Sequence, residues 1–365
     1  MHMSNLDSNK DMRSLKIGNL EAKVPVVQGG MGVGVSLSGL AGAVAKCGGV
    51  GIISTAQIGF REPEFNDNPI ETNLKAIEKE VKKAKEIADG GIVGVNIMVA
   101  TKRYEDYVKA AVEAGVDIII SGAGLPMELP KLVEGSDVKI APIVSGKKSF
   151  DVISKYWMKK YRRKPDMVVI EGPLAGGHLG FSYEDVYDYS GKEIADANAA
   201  YDAVVKEIIE AVRDFEGDDT IPVVVAGGVF QRSDLEHYLS LGAAGVQMAT
   251  RFVATPECDA SEAYKMAYIN AKKEDIVIVK SPVGMPGRAI HNEFIDKVNE
   301  GERFMGERCW QCVKTCKPAE TPYCITRALV NAVEGNLSEG LIFCGANAVR
   351  VDHMETVAQI MEEFA

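Results

Sequence analysis

The residues best suited to chemistry lie in one short stretch, Glu171–Gly180, with the sequence EGPLAGGHLG. Glu171 closes an apolar run, Met167–Ile170, and His178 follows inside a turn that also holds Ala175, Gly176, Gly177 and Gly180. An imidazole, with a reference pKa of about 6.5, can hold or pass a proton near neutrality. Glycines beside it have no Cβ, so the chain can take positive φ and a flat ligand can approach the backbone closely. Taken alone, His178 reads equally well as a loop histidine satisfied by backbone carbonyls. Its surroundings favour chemistry, because other apolar runs end in the same way.

A second group has metal-ligand spacing. Cys309, Cys312, Cys316 and Cys324 form C-x2-C-x3-C-x7-C. Thiolates at such spacing can converge on zinc or an iron–sulfur cluster. The competing reading is a set of small buried thiols, and the missing zinc-ribbon partner spacing favours that reading, with no metal. Arg251 is a candidate positive charge for an anion. His237, His291 and His353 read as structural or surface residues.

The elements that must position these groups follow from the pattern of apolar runs. Val24–Gln28 ends in Gly29-Gly30-Met31, and Gly49–Ser54 follows. Ile92–Ile97 carries Asn96 near its end. Asp117–Ser121, Lys139–Val144 and Met167–Ile170 come next. Ile221–Ala226 ends in Gly227-Gly228, and Gly245–Met248 (with Gln247) runs into Ala249-Thr250-Arg251. Between them lie amphipathic or small-residue helices, among them Ser36–Cys47, Glu71–Ala88, Phe150–Tyr161, Asn198–Phe215 and Ser233–Leu241, the last capped by Ser233. Strands that are apolar on both sides belong to a parallel sheet covered by helices. Eight such units predict an α/β fold, a (β/α)8 TIM barrel over residues 16–256, with an open doubly wound sheet as the alternative. The barrel is preferred because its strand ends converge on one mouth. Residues 257–365 read as a mainly helical appendage containing the Cys-rich segment 309–324 and a glycine- and proline-rich loop, Ser281–Arg288. Residues 1–15 read as a flexible start.

Length and composition set outer bounds. The 365 residues suffice for one barrel-sized domain, and the apolar fraction of 46% with 25% charged residues is ordinary for a globular chain. A formal net charge of -11 argues against a general nucleic-acid binder. No run is long and apolar enough for a membrane span, and the start lacks an apolar signal core, which fits a cytoplasmic protein. Seven Cys, an odd count, speak against a disulfide scaffold. The expected partner is a small-molecule substrate, with no nucleic acid and no membrane. A homodimer is allowed, though no feature of the sequence decides assembly.

The ends of the last two core strands resemble a phosphate site, where backbone N–H groups and glycine accept an anion. No G-x-G-x-x-G opens a helix in the dinucleotide setting, so a mononucleotide flavin fits better than a dinucleotide. QGGMGVGVSLSGLAGAVAKCGGVGIIS, EGPLAGGHLG, IPVVVAGGVF, GAAGVQMATRF and SPVGMPGRAIHN together resemble the nitronate monooxygenase family, formerly called 2-nitropropane dioxygenases, over about residues 16–295. The resemblance implies an FMN-dependent barrel that oxidises alkyl nitronates. It implies His178 as the active-site histidine and, for the basic residue that some relatives carry after strand five, Lys147 or Lys148 as the residue that would have to serve. Gly29, Gly30 and Met31 would lie at the flavin, Asn96 near its ring, and Glu171, Ala175, Gly176 and Gly177 along it. Gly227, Gly228, Gln247, Met248 and Thr250 would lie at its phosphate. The sister group, the FMN-containing enoyl-ACP reductase II, stays open as an NAD(P)H-dependent alternative. A flavin-binding module without turnover is a third reading.

Overall fold

The computed structural model describes residues 14–190 and 194–365. Eight strands form its centre: β1 (Val26–Gln28), β2 (Val50–Ser54), β3 (Ile92–Met98), β4 (Ile118–Gly122), β5 (Lys139–Val144), β6 (Val168–Glu171), β7 (Val223–Ala226) and β8 (Gly245–Met248). They pair in parallel, each with its neighbours in sequence, and β8 returns to β1 through Val246↔Val26 and Met248↔Gln28. That closure makes the sheet a (β/α)8 barrel and rules out the open doubly wound alternative.

The closure follows from side chains that bury both faces of each strand. In β3, Val93, Val95 and Ile97 join the large outer core under the helices, whereas Ile92 joins the inner core. The inner core also holds Val27, Val50, Ile52, Ile118, Ile120, Ala141, Met167, Val169 and Val224. Period-2 alternation therefore sends Asn96 inward, one pair above Ile92 and Gly94. The β1–β2 seam is thin, with Val27↔Val50 as its register pair. Gln28, fully buried, reinforces it by accepting a hydrogen bond from Ile52 N at 3.1 Å.

The opposite end of the barrel is plugged by an antiparallel hairpin, Leu15–Ile17 with Leu20–Ala22. Leu15, Ile17 and Ala22 belong to the inner core. The expected flexible start thus ends before Leu15, and residues 1–13 lie outside the described residues. The cap of helix Arg232–Leu241 is Gln231, with Asp234 returning a bond to the Gln231 N–H at 2.9 Å, so Ser233 is already inside the helix.

The appendage is helical in Glu262–Asn270, Glu293–Asn299, Ile325–Glu334 and Val357–Phe364. The last of these buries Val357, Ile360, Met361 and Phe364 in the outer core of the barrel. The appendage also supplies a sheet that the sequence did not suggest. Ile276–Lys280 pairs antiparallel with Pro286–Ile290, which pairs in turn with Ile342–Phe343 and with Gly177–His178 from the barrel. The stretch Ser281–Arg288 is therefore a turn followed by a strand. Pro286 is tolerated because it is the strand's first residue. No helix among the described residues is long and apolar enough to cross a membrane.

Candidate active site

Parallel register brings the strand ends of the barrel into one row. Glu171 lies opposite Ala226, Ala226 opposite Gln247, and Ser54 opposite Asn96. Gly29 N donates to Met248 O at 2.6 Å, joining the loops after β1 and β8. A Cβ on Gly30 would lie 2.5 Å from the Asn96 Cβ, so these two expected cofactor residues touch. Met31, half-buried, donates its N–H to Ser36 Oγ at 2.8 Å. Met248 behaves differently from Gln247. Its side chain packs in the outer core, so Met248 offers the mouth only its backbone.

The loop after β6 folds back over this row. Gly227 and Gly228 take φ of +95° and +84°, and a Cβ on Gly227 would meet Gly172 O at 2.9 Å and Ala175 N at 3.0 Å. Only glycine makes that approach without strain. Gly176 sits against the appendage, where a Cβ would lie 2.6 Å from the Cys344 carbonyl carbon. Gly345 sits similarly against Thr250 Oγ1, and Asn347 Nδ2 donates to Gly228 O at 2.6 Å. Arg288, 2% exposed, donates to Ala175 O. Burial pushes its guanidinium down to about 10. Ala175, Gly176, Gly177, Gly227, Gly228 and Thr250 thus gather beneath a cover, Cys344–Asn347, that the sequence did not indicate.

His178 enters on the shared sheet. Gly177 and His178 pair with Arg288 and Gly287, and Leu179 N donates to Pro286 O at 2.9 Å. This pairing sets the imidazole 2.6 Å, Nε2 to Oγ, from Ser281 at the hairpin turn. The Phe343 ring packs edge-on with its centroid 4.8 Å away. Burial pushes the imidazole down to about 4, because the protein interior disfavours the charged form. Glu171 responds in the opposite sense. Loss of water pushes its carboxyl up to about 7, opposed by the Gly180 N–H donated to Oε1 at 2.8 Å. Tyr201 Oη lies 2.9 Å from Ser145 O and 3.0 Å from Glu171 O, tying the ends of β5 and β6 together. A neutral imidazole and a carboxyl that titrates near neutrality thus lie seven residues apart, on the shared sheet and at the end of β6.

The candidate cations are engaged elsewhere. Arg251 is held by Glu355, with Nε–Oε2 and Nη2–Oε1 both 2.8 Å, and by Glu363 at 2.5 Å. It is a structural clasp for the C-terminal segment, not a spare charge for an anion. Lys147 pairs with Asp151 one helical turn on, at 2.7 Å, and Lys148 is exposed. His291 pairs with Asp296 and His237 with Asp202, at 2.8 and 2.9 Å, in keeping with structural roles. Cys309, Cys312, Cys316 and Cys324 are free thiols beside the loop after β3, and Cys309 is exposed. The residues that sequence reasoning missed are Ser281, Tyr201 and Cys344–Asn347. Only SPVGMPGRAIHN, which contains Ser281, gave any signal.

A sequence model described as nitronate monooxygenase matches residues 13–365. A probable nitronate monooxygenase of Staphylococcus saprophyticus is 27% identical over 310 residues, 78% of this chain and 80% of that protein. A (3aS,4S,5R,7aS)-5-hydroxy-7a-methyl-1-oxo-octahydro-1H-indene-4-carboxyl-CoA dehydrogenase of Mycobacterium tuberculosis is 26% identical over 282 residues, 77% of this chain and 67% of that one. The structure of FabK from Thermotoga maritima matches with a TM-score of 0.69 at 26% identity, over 94% of this chain and 92% of that one. The nitroalkane oxidase of Streptomyces ansochromogenes shares the fold, with a TM-score of 0.69 at 18% identity, over 93% of this chain and 94% of that one.

Proposed function

The chain belongs to the nitronate monooxygenase family, and from that premise we propose an FMN-dependent oxidoreductase that takes alkyl nitronates, with His178 at the reacting edge. The observation that supports this reading is the His178 imidazole, held 2.6 Å from Ser281 on the strand that follows the glycine-rich loop after β6. The residues present suit a flat, phosphorylated ligand. Gly29, Gly30, Met31 and Asn96 offer a surface without bulk for a ring, beside Glu171 and Gln247. Gly227 and Gly228, in left-handed backbone, and the start of helix Thr250–Val253 offer the kind of turn that accepts a phosphate. Ala175, Gly176, Gly177 and the backbone of Met248 complete the lining. When bound, FMN supplies the electron-accepting ring system.

The protein's own part is to bind and to orient. A nitronate is already a carbanion equivalent, so it needs no base to remove a carbon-bound proton. An imidazole pushed down to about 4 is a poor base at neutral pH. It is well suited to hold nitro oxygens by a hydrogen bond while staying neutral. Ser281 fixes the ring's orientation through Nε2, and which of the two donates depends on the tautomer. The Cys344–Asn347 cover and the Gly177–His178 strand keep the pocket closed on the appendage side.

A second reading, an enoyl-thioester reductase that uses NAD(P)H, draws support from the likeness to FabK and to the CoA-linked dehydrogenase. One experiment separates the two. Protein reconstituted with FMN is kept free of oxygen and receives propionate 3-nitronate or NADH in separate samples. Bleaching of the visible flavin band by the nitronate alone is the expected result. Bleaching by NADH alone would transfer the assignment to the reductase, and a chain that takes up no FMN would end both readings.

A further inference from the structure

We propose, on the strength of the FMN reading above, that Asn347 is a flavin-binding residue: its side-chain carbonyl accepts a hydrogen bond from the ribityl hydroxyl next to the phosphate. Asn347 belongs to the appendage, in the short 3-10 turn Ala346–Arg350. Three contacts seat this segment on the loops that leave the barrel strands. Ala346 N donates to Leu174 O at 3.1 Å, on the loop after β6. A Cβ on Gly345 would lie 2.5 Å from Thr250 Oγ1, just past β8. Asn347 Nδ2 donates to Gly228 O at 2.6 Å, on the turn after β7. Residues from all three loops therefore meet this segment, and Asn347 itself is 2% exposed. The bond to Gly228 also holds a left-handed turn, with φ of +95° at Gly227 and +84° at Gly228, whose backbone is the proposed phosphate cradle.

The amide has two unlike arms, and only one of them is engaged. A backbone carbonyl can only accept, so the arm that meets Gly228 O is the NH2 and the other arm is the oxygen. That oxygen, Oδ1, is buried and meets no donor among the described residues. A buried acceptor without a donor carries its whole desolvation cost, which a ligand that brings a donor removes. Two other buried side-chain atoms share this condition, the Ser38 and Tyr323 hydroxyls. Neither belongs to the loops after β6, β7 and β8 or to the segment seated on them. The group that meets Oδ1 must be a donor, and this selects among the parts of the flavin. An ionised phosphate presents acceptor oxygens. The ring lies, in the same reading, at Gly30 and Asn96, on β3 and the loop after β1. The ribityl chain that joins the two carries hydroxyls, and the one next to the phosphate is the nearest to a phosphate held at Gly227 and Gly228.

The test reads binding, not turnover. The full chain, stripped of flavin, is titrated with FMN and with 4′-deoxy-FMN, which lacks that hydroxyl, and Kd is taken from the quenching of flavin fluorescence. Wild type should bind the deoxy compound about fivefold more weakly than FMN, the loss of one hydrogen bond. Asn347→Ala should bind FMN about tenfold more weakly than wild type, since it also releases the Gly228 turn. The variant should no longer distinguish the two flavins, because the hydroxyl then has no partner to lose. If Asn347→Ala does not fold, Asn347→Ser, too short to span the same gap, replaces it. Equal affinity of wild type for the two flavins would overturn the proposal whatever the variants do. So would a folded variant that still prefers FMN by the wild-type margin, or one that binds FMN as tightly as wild type. A wild-type chain that takes up neither flavin would end the FMN reading itself, which sets that failure apart from a failure of the asparagine contact alone.

Discussion

Ser281 fixes the His178 imidazole by a hydrogen bond, and the Phe343 ring packs against it edge-on. His178→Ala should leave FMN bound and lower turnover of nitronate by about 10²-fold or more, as read by steady-state rates beside the flavin spectrum. Ser281→Ala removes one hydrogen bond worth about 1 kcal/mol. Turnover should fall by about fivefold with flavin content unchanged, and an unaltered rate would remove Ser281 from any positioning role. Glu171 carries a pH signature. Its folded pKa of about 7 stands above its reference value of 4.5, so the folded chain binds the extra proton between those limits. Its contribution to stability is full below about 4.5 and is lost as pH rises through 7. His178 works in the opposite sense, because its pKa falls from 6.5 to about 4 and its contribution is lost as pH falls through that window. Glu171→Gln should therefore stabilise the chain by about 1–3 kcal/mol at about pH 8, and little at about pH 4. Urea midpoints at the two pH values check this. His178 and Glu171 stand out as candidates in the sequence because a histidine among glycines after an apolar run has few packing uses. Ser281 was hidden, since its partner lies far away in sequence and only strand pairing brings the two together.

Elements decide which loops meet. The eight strands were readable because valine and isoleucine fill both faces, the mark of a covered parallel sheet. The hairpin Ile276–Ile290 was not, because Pro282, Gly284, Pro286 and Gly287 are loop residues by composition. Their role as turn and first strand residues depends on neighbours contributed by β6's loop and by Ile342–Phe343. Arg251 shows the reverse failure. Its place after β8 suggested an anion partner, whereas Glu355 and Glu363, over a hundred residues away, claim its guanidinium. At the end of β7, Gly227→Ala would place a Cβ 2.9 Å from Gly172 O at φ +95°. The strain should cost about 1–3 kcal/mol and displace the loop that carries Ala175. Lower FMN retention after gel filtration, with a fall in the thermal midpoint, is the expected outcome.

At the scale of the whole molecule, a closed barrel aims its strand ends at one mouth, and the appendage completes that mouth instead of standing apart from it. The His178 strand pairs with an appendage strand, Asn347 bonds the Gly228 carbonyl, and the final helix packs into the barrel's outer core. A boundary near residue 257 separates elements that share a sheet and a core. The barrel itself was legible from periodicity, and the cover was not, since FCGANAVR carries no pattern that points to a pocket. The most direct test is a diffraction map of crystals grown with FMN. Density for the flavin ring should lie across Gly30 and Asn96, its phosphate at Gly227, Gly228 and Thr250, and the His178 imidazole should face the ring. Flavin density anywhere else, or a mouth that stays without it at saturating FMN, would contradict the account.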